Sequence, residues 1–140
     1  MQPEARPRRI FIAEDDRSVL ELLTTRLGLA GYDTVFGRDG WEALDGIHSA
    51  QPAAIILDVN MPRLDGFGVL RHLRQSPRVA HIPVMMLTAR NAPGDIKEAL
   101  TLGARDYLAK PFTDAQLLAR VTRLLRPRPV STPANESILL

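Results

Sequence analysis

The sequence predicts a doubly wound α/β fold, in which a five-stranded parallel sheet of order 2-1-3-4-5 carries five helices. Three observations lead there. Five short apolar runs alternate with five stretches of helical periodicity between residues 9 and 125. The runs are nearly continuous rather than alternating, as in parallel strands covered on both faces. The right-handed crossover rule then leaves few topologies. The chain has 140 residues, 45% hydrophobic and 24% charged, enough for one core without staples.

Arg9 to Ala13 reads as the first strand, ending in Glu14-Asp15-Asp16. From Ser18, residues Leu20, Leu23, Leu27 and Ala30 recur at spacings of three and four, an amphipathic helix that Gly31 stops. Tyr32 to Phe36 is the second strand. Asp39-x-x-Glu42 has the form of a capping box opening a helix through Ala43, Leu44 and Ile47. Ala53 to Leu57 is the third strand, stopped at Asp58; Phe67, Leu70 and Leu73 follow at helical spacing. Pro83 to Leu87 is the fourth strand, ended by Thr88-Ala89. Pro93 suits the first turn of a helix carrying Ile96, Ala99 and Leu100, closed by Gly103. Arg105 to Leu108 is the fifth strand. Thr113-x-x-Gln116 is a second capping box, before Leu117, Leu118, Val121, Leu124 and Leu125. Three segments result: residues 1–7 unstructured, 8–126 one domain, and 127–140 a proline-rich tail or linker stub.

Composition excludes several classes. A net charge of +2 gives no strong case for a nucleic-acid or membrane partner. The absence of cysteine removes disulfides, thiol nucleophiles and cysteine metal sites. No apolar run approaches the roughly 18 residues of a membrane helix, and the first nine residues hold no apolar signal core. A cytoplasmic protein fits. His48, His72 and His81 share no metal-ligand spacing and read as surface residues, Trp41 as a packing residue of the second helix, and Met85 and Met86 as core.

In open parallel sheets the functional crevice lies beyond the carboxyl ends of the strands. The residues there are Asp15 and Asp16 after strand one, Asp58 after strand three, Thr88 after strand four, and Lys110-Pro111 after strand five. Clustered carboxylates repel and raise one another's pKa. Mg²⁺ removes that conflict, prefers oxygen ligands and readily binds a phosphate. Three carboxylates, Lys110 and Mg²⁺ sum to near neutrality, and a phosphoryl group can enter between the metal and the ammonium. A carboxylate can itself be the nucleophile and form an aspartyl phosphate.

These elements resemble the response-regulator receiver domain of two-component signalling, close to the stand-alone chemotaxis type. The resemblance covers about residues 8–126. It rests on Asp15-Asp16, Asp58, Met61-Pro62 with Asp65-Gly66, Thr88-Ala89, and Asp106-Tyr107 with Lys110-Pro111-Phe112, all in order. It implies a flavodoxin-like fold and a signalling module rather than an enzyme in the ordinary sense. Asp58 is then the phosphoacceptor. Asp16, Asp58 and the Asn60 backbone carbonyl bind Mg²⁺, or Mn²⁺ in its place, and Asp15 holds it through water. Lys110 binds phosphoryl oxygens. Thr88 and Tyr107 form the switch, acting on the face of helix four, strand five and helix five. Asn60 and Arg90 tune phosphate lifetime, and the Lys110-Pro111 bond is cis. The partners implied are a histidine kinase or phosphotransfer protein and a downstream protein target, in a bacterial cytoplasm, with the chain a monomer or a phosphorylation-dependent dimer. Asp106 and Arg120 match the charged pattern of regulators that dimerise; Arg105 and Gln116 depart from it.

Other readings compete. Asp15 and Asp16 could simply cap the first helix. Two basic clusters, Arg6, Arg8, Arg9 and Arg120, Arg123, Arg126, Arg128, read as solvated faces. A cofactor binder of the same fold would need a small-residue phosphate loop after strand one, where acids stand instead. An aspartyl phosphatase would place an acid at residue 60, which is Asn. The chain could be the receiver portion of a longer regulator, or an unphosphorylated scaffold.

Overall fold

The computed structural model describes residues 6–89 and 92–127. Five parallel strands, β1 (Arg9–Ala13), β2 (Asp33–Gly37), β3 (Ala54–Asp58), β4 (Val84–Ala89) and β5 (Asp106–Lys110), alternate with α1 (Arg17–Leu29), α2 (Gly40–Ala50), α3 (Gly66–Arg74), α4 (Pro93–Thr101) and α5 (Asp114–Leu124). The sheet order is β2-β1-β3-β4-β5, as expected. The terminal segments and Arg90 fall largely or wholly outside the described residues.

The two-residue period of the strands divides the core. Phe11, Ile55, Leu57, Val84 and Met86 face α2, α3 and α4. Ile10, Ile12, Ile56, Met85 and Leu87 face α1 and α5. Helix α1 buries Leu20, Leu23 and Leu27, each contributing roughly 1.5–3 kcal/mol. Helix α4 buries only Ala99 and has no side-chain N-cap. Its expected apolar residue Leu100 is 46% exposed. An exposed Arg71–Glu98 pair at 3.0 Å ties α4 to α3, and such pairs stabilise by about 0–1 kcal/mol. Helix α4 is therefore the least firmly attached of the five.

Several element ends differ from the sequence reading by one or two residues. Strand β2 begins at Asp33 because Tyr32 completes the C-terminal motif of α1: Tyr32 N–H donates to Leu27 O and Gly31 N–H to Gly28 O, with Gly31 at φ +96. Gly103 closes α4 in the same way, Ala104 N–H reaching Ala99 O. Strand β5 extends to Lys110 rather than ending at Leu108. Both capping residues act as expected, but only Thr113 and Gln116 form a reciprocal box. Asp39 accepts from Glu42 N–H, while the Glu42 carboxylate turns back one residue further to Arg38 N–H.

Gly66 sets the spacing beneath the sheet edge that carries the acids, while Gly28, near the end of α1, has open space around it. A Cβ on Gly66 would lie 2.2 Å from Asp58 O and 2.9 Å from Val59 Cα. Gly28 has nothing within 4 Å of a Cβ. Gly66→Ala is therefore expected to lower stability by about 1–3 kcal/mol through forced backbone movement. Gly28→Ala raises it by up to about 1 kcal/mol. Urea midpoints of the two variants measure both, and equal midpoints would contradict the packing described.

Candidate functional site: a carboxylate cluster around a half-buried lysine

The site lies where β1, β3, β4 and β5 end. Parallel pairing brings Asp58 opposite Leu87 and Thr88 opposite Ala109, so residues distant in sequence share one edge. Glu14 and Asp58 are buried. Oxygens of Glu14, Asp15 and Asp58 lie within 4.8 Å of one another, close enough to share a metal ion. The Lys110 ammonium, half-buried, donates to Glu14 at 2.9 Å and lies 3.0 Å from an Asp58 oxygen. The Lys110-Pro111 peptide bond is cis.

One assignment is corrected here. The acidic pair that meets Asp58 is Glu14-Asp15, not Asp15-Asp16. Asp16 is the N-cap of α1, its Oδ1 accepting from Ser18 N–H at 2.8 Å and Val19 N–H at 3.2 Å. Those bonds satisfy two otherwise unpaired helix donors and hold its carboxylate away from the cluster. Glu14 also accepts from Asp16 N–H at 3.1 Å, so it orders the loop as well as neutralising Lys110. The available signal was the β1 apolar run, which ends at Ala13 and makes Glu14 the first residue at the strand end.

Electrostatics mark Asp58. Burial, and then the Glu14 carboxylate, push its pKa up to about 6, against the opposing pull of Lys110. Burial draws the Lys110 pKa down, but bonds to Glu14 and Asp58 outweigh it and leave the group above its ordinary value. Three acids and one lysine leave an excess of negative charge. The site also holds a polar atom without a partner: Thr88 is 1% exposed and its Oγ1 makes no hydrogen bond. Leaving a buried hydroxyl unpaired costs about 1–3 kcal/mol. Excess charge and an unpaired hydroxyl at one edge fit a divalent cation and an added oxyanion.

Asn60 is exposed just past β3, and Arg90 is outside the described residues. Tyr107 is half-buried on β5 opposite Met86, with Arg120 5.5 Å above its ring. Asp106 is buried and paired within the chain to Arg120 at 2.8 Å and Arg123 at 2.6 Å. Arg105 donates to Leu124 O and Arg126 O. Of the histidines, His72 sits edge-on to half-exposed Trp41 at 5.3 Å.

The sequence pattern of the family described as the response regulator receiver domain matches residues 10–122. This chain belongs to that family. The receiver domain is 45% identical over 131 residues to the response regulator MprA of Mycolicibacterium vanbaalenii, covering 94% of this chain and 56% of that protein. It thus spans about half the length of the curated relatives it matches. A response regulator from Chloroflexus aurantiacus superposes with a TM-score of 0.82 at 38% identity, covering 85% of this chain and 98% of that one. The receiver domain of the sensor histidine kinase PA1611 from Pseudomonas aeruginosa superposes at 0.79 with 30% identity, over 85% of this chain and 98% of that one. That structure holds a magnesium ion coordinated in its active-site cleft. Among the described residues, no helix is long and apolar enough to cross a membrane.

The raised pKa of Asp58 yields a test in metal-free buffer. A carboxylate whose folded pKa exceeds its unfolded value of 3.8 weakens the fold as pH rises from about 4 through about 6. Asp58→Asn is expected to be more stable than the wild type at pH 7.5, by about 1–3 kcal/mol. The gap should close near pH 4. Urea denaturation at both pH values measures it, and a wild type more stable at pH 7.5 would refute the electrostatics.

Proposed function

We propose that Asp58 accepts a phosphoryl group from a phosphohistidine on a histidine kinase or phosphotransfer protein. An Asp58 oxygen attacks phosphorus, the P–N bond breaks, and the departing ring nitrogen keeps the bonding pair. Asp15, Asp58 and the Asn60 backbone carbonyl would hold Mg²⁺, with Glu14 as the third carboxylate charge. Mg²⁺, when bound, neutralises charge on the transferring phosphoryl oxygens. The observation that carries this reading is the Thr88 hydroxyl, buried and unpartnered beside an acid cluster. A phosphoryl oxygen on Asp58 supplies its missing partner.

Lys110 holds the phosphoryl group from the other side, exchanging a carboxylate oxygen for a phosphoryl oxygen. Movement of Thr88 toward the phosphate opens space near Met86 and Tyr107, and Tyr107 turns inward. Phosphorylation adds charge and strong acceptors at one strand end. It biases the weakly attached α4 together with β5 and α5. That face then regulates a protein target; the location is cytoplasmic. Asn60 and Arg90 are the residues proposed to tune how long the phosphoryl group lasts.

Intact mass after incubation with acetyl phosphate and Mg²⁺ tests this. The wild type should gain one phosphoryl group. Asp58→Asn should gain none, and EDTA should abolish the gain. A phosphoryl group on Asp58→Asn would transfer the acceptor role elsewhere.

A further inference from the structure

We propose that Arg38 is a positioning residue for the metal-binding loop: it fixes the Asp15 peptide, and through it the Asp15 carboxylate. This rests on the site reading above. Asp15 is the most exposed of the three clustered acids. Glu14 is held by Lys110, and Asp58 faces the same ammonium. The Asp15 carboxylate has no hydrogen bond or ion pair among the described residues. The long-range tie on Asp15 is to its backbone: Arg38 Nη2 donates to Asp15 O at 3.0 Å, across 23 residues of chain.

Arg38 is itself held from two sides. Preceding it, Gly37 O accepts from Glu14 N–H at 3.1 Å, stitching the ends of β1 and β2 together. Helix α2 lies so close to Gly37 that a Cβ there would meet Ala43 N at 2.9 Å. The Glu42 carboxylate then accepts from Arg38 N–H at 3.1 Å. The Arg38 side chain thus transmits the fixed geometry of β2 and α2 to the loop after β1. Asp16 anchors the other end of that loop as the cap of α1. Asp15 lies between two fixed points, and Arg38 is the only charged side chain hydrogen-bonded to it among the described residues.

Two physical roles for Arg38 predict opposite signs. As a bare positive charge near three acids, it would repel a divalent cation, and its removal would tighten binding. As a positioning residue, its removal would loosen the ligand and weaken binding, by about tenfold for a group that orients a metal ligand. Calorimetric titration with Mg²⁺ alone, without phosphodonor, separates them. Arg38→Met, close in size but without charge or donor, should weaken Mg²⁺ binding by about tenfold. Arg38→Lys, which keeps the charge and one donor able to reach a carbonyl, should recover part of that loss. The Asp16 amide, bonded to the Asp15 carbonyl carbon, should shift in the NMR spectrum of Arg38→Met with the rest of the sheet unmoved. Unchanged or tighter Mg²⁺ binding by Arg38→Met overturns the proposal. A wild type that binds no Mg²⁺, or binds it equally well as Asp58→Asn, overturns the site reading itself and with it the role of Arg38.

Discussion

Everything at this site depends on one ion cluster, the Lys110 ammonium set between the buried carboxylates of Glu14 and Asp58. The three residues come from the ends of β1, β3 and β5, and Lys110 and Glu14 are 96 positions apart. Only a parallel sheet with β1 and β3 adjacent and β4 leading to β5 delivers them to one edge. A buried ion pair is poor evidence of stability, because desolvation offsets much of its Coulomb attraction. Here the balance is visibly unfavourable: burial and Glu14 lift the Asp58 pKa to about 6 in spite of Lys110. The arrangement is better understood as a site kept short of positive charge than as a clamp on the fold. A divalent ion and a phosphoryl group would complete it, and Thr88 already lies buried without a partner.

The distribution of packing complements that incomplete site. Helices α1 and α5 each bury three leucine or valine side chains against the sheet, and α3 buries six residues. Helix α4, which follows the strand carrying Thr88, buries one alanine. Local stability follows buried apolar contact, so α4 belongs to the low-stability end of the domain. A movement of Thr88 at the end of β4 would therefore act on the element least able to resist it. On β5, Arg120 bonds both Asp106 and the Tyr107 carbonyl while covering the Tyr107 ring. The same guanidinium links the charge network of this face to its half-buried aromatic.

The fold was legible because its signals are periodic. Short apolar runs located all five strands, and capping residues located α2 and α5. One error at an element end arose where a residue serves a neighbouring element: Tyr32 closes α1 instead of opening β2. The arrival of Asp58, Thr88 and Lys110 at one sheet edge was legible; the choice among the acids after β1 was not. Three consecutive acids follow β1, and sequence alone does not say which of them faces inward and which caps α1. That choice is made by the helix, whose first free N–H groups claim Asp16 and leave Glu14 and Asp15 to the cluster. Arg105 and Gln116, which depart from the charge pattern of dimerising regulators, have local uses: Arg105 satisfies carbonyls at the end of α5, and Gln116 completes the cap at its start. The role of Arg38 leaves no sequence signal, since a hydrogen bond from a side chain to a distant carbonyl has no characteristic spacing.

The Mg²⁺ affinity of Asp15→Asn beside that of Asp16→Asn decides which acid after β1 belongs to the cluster. Asparagine caps a helix about as well as aspartate, so the second variant keeps α1 and its loop intact. Asp15→Asn is expected to lose most Mg²⁺ binding while Asp16→Asn retains it. Loss of binding in Asp16→Asn with retention in Asp15→Asn would contradict the assignment of the cluster to Glu14, Asp15 and Asp58.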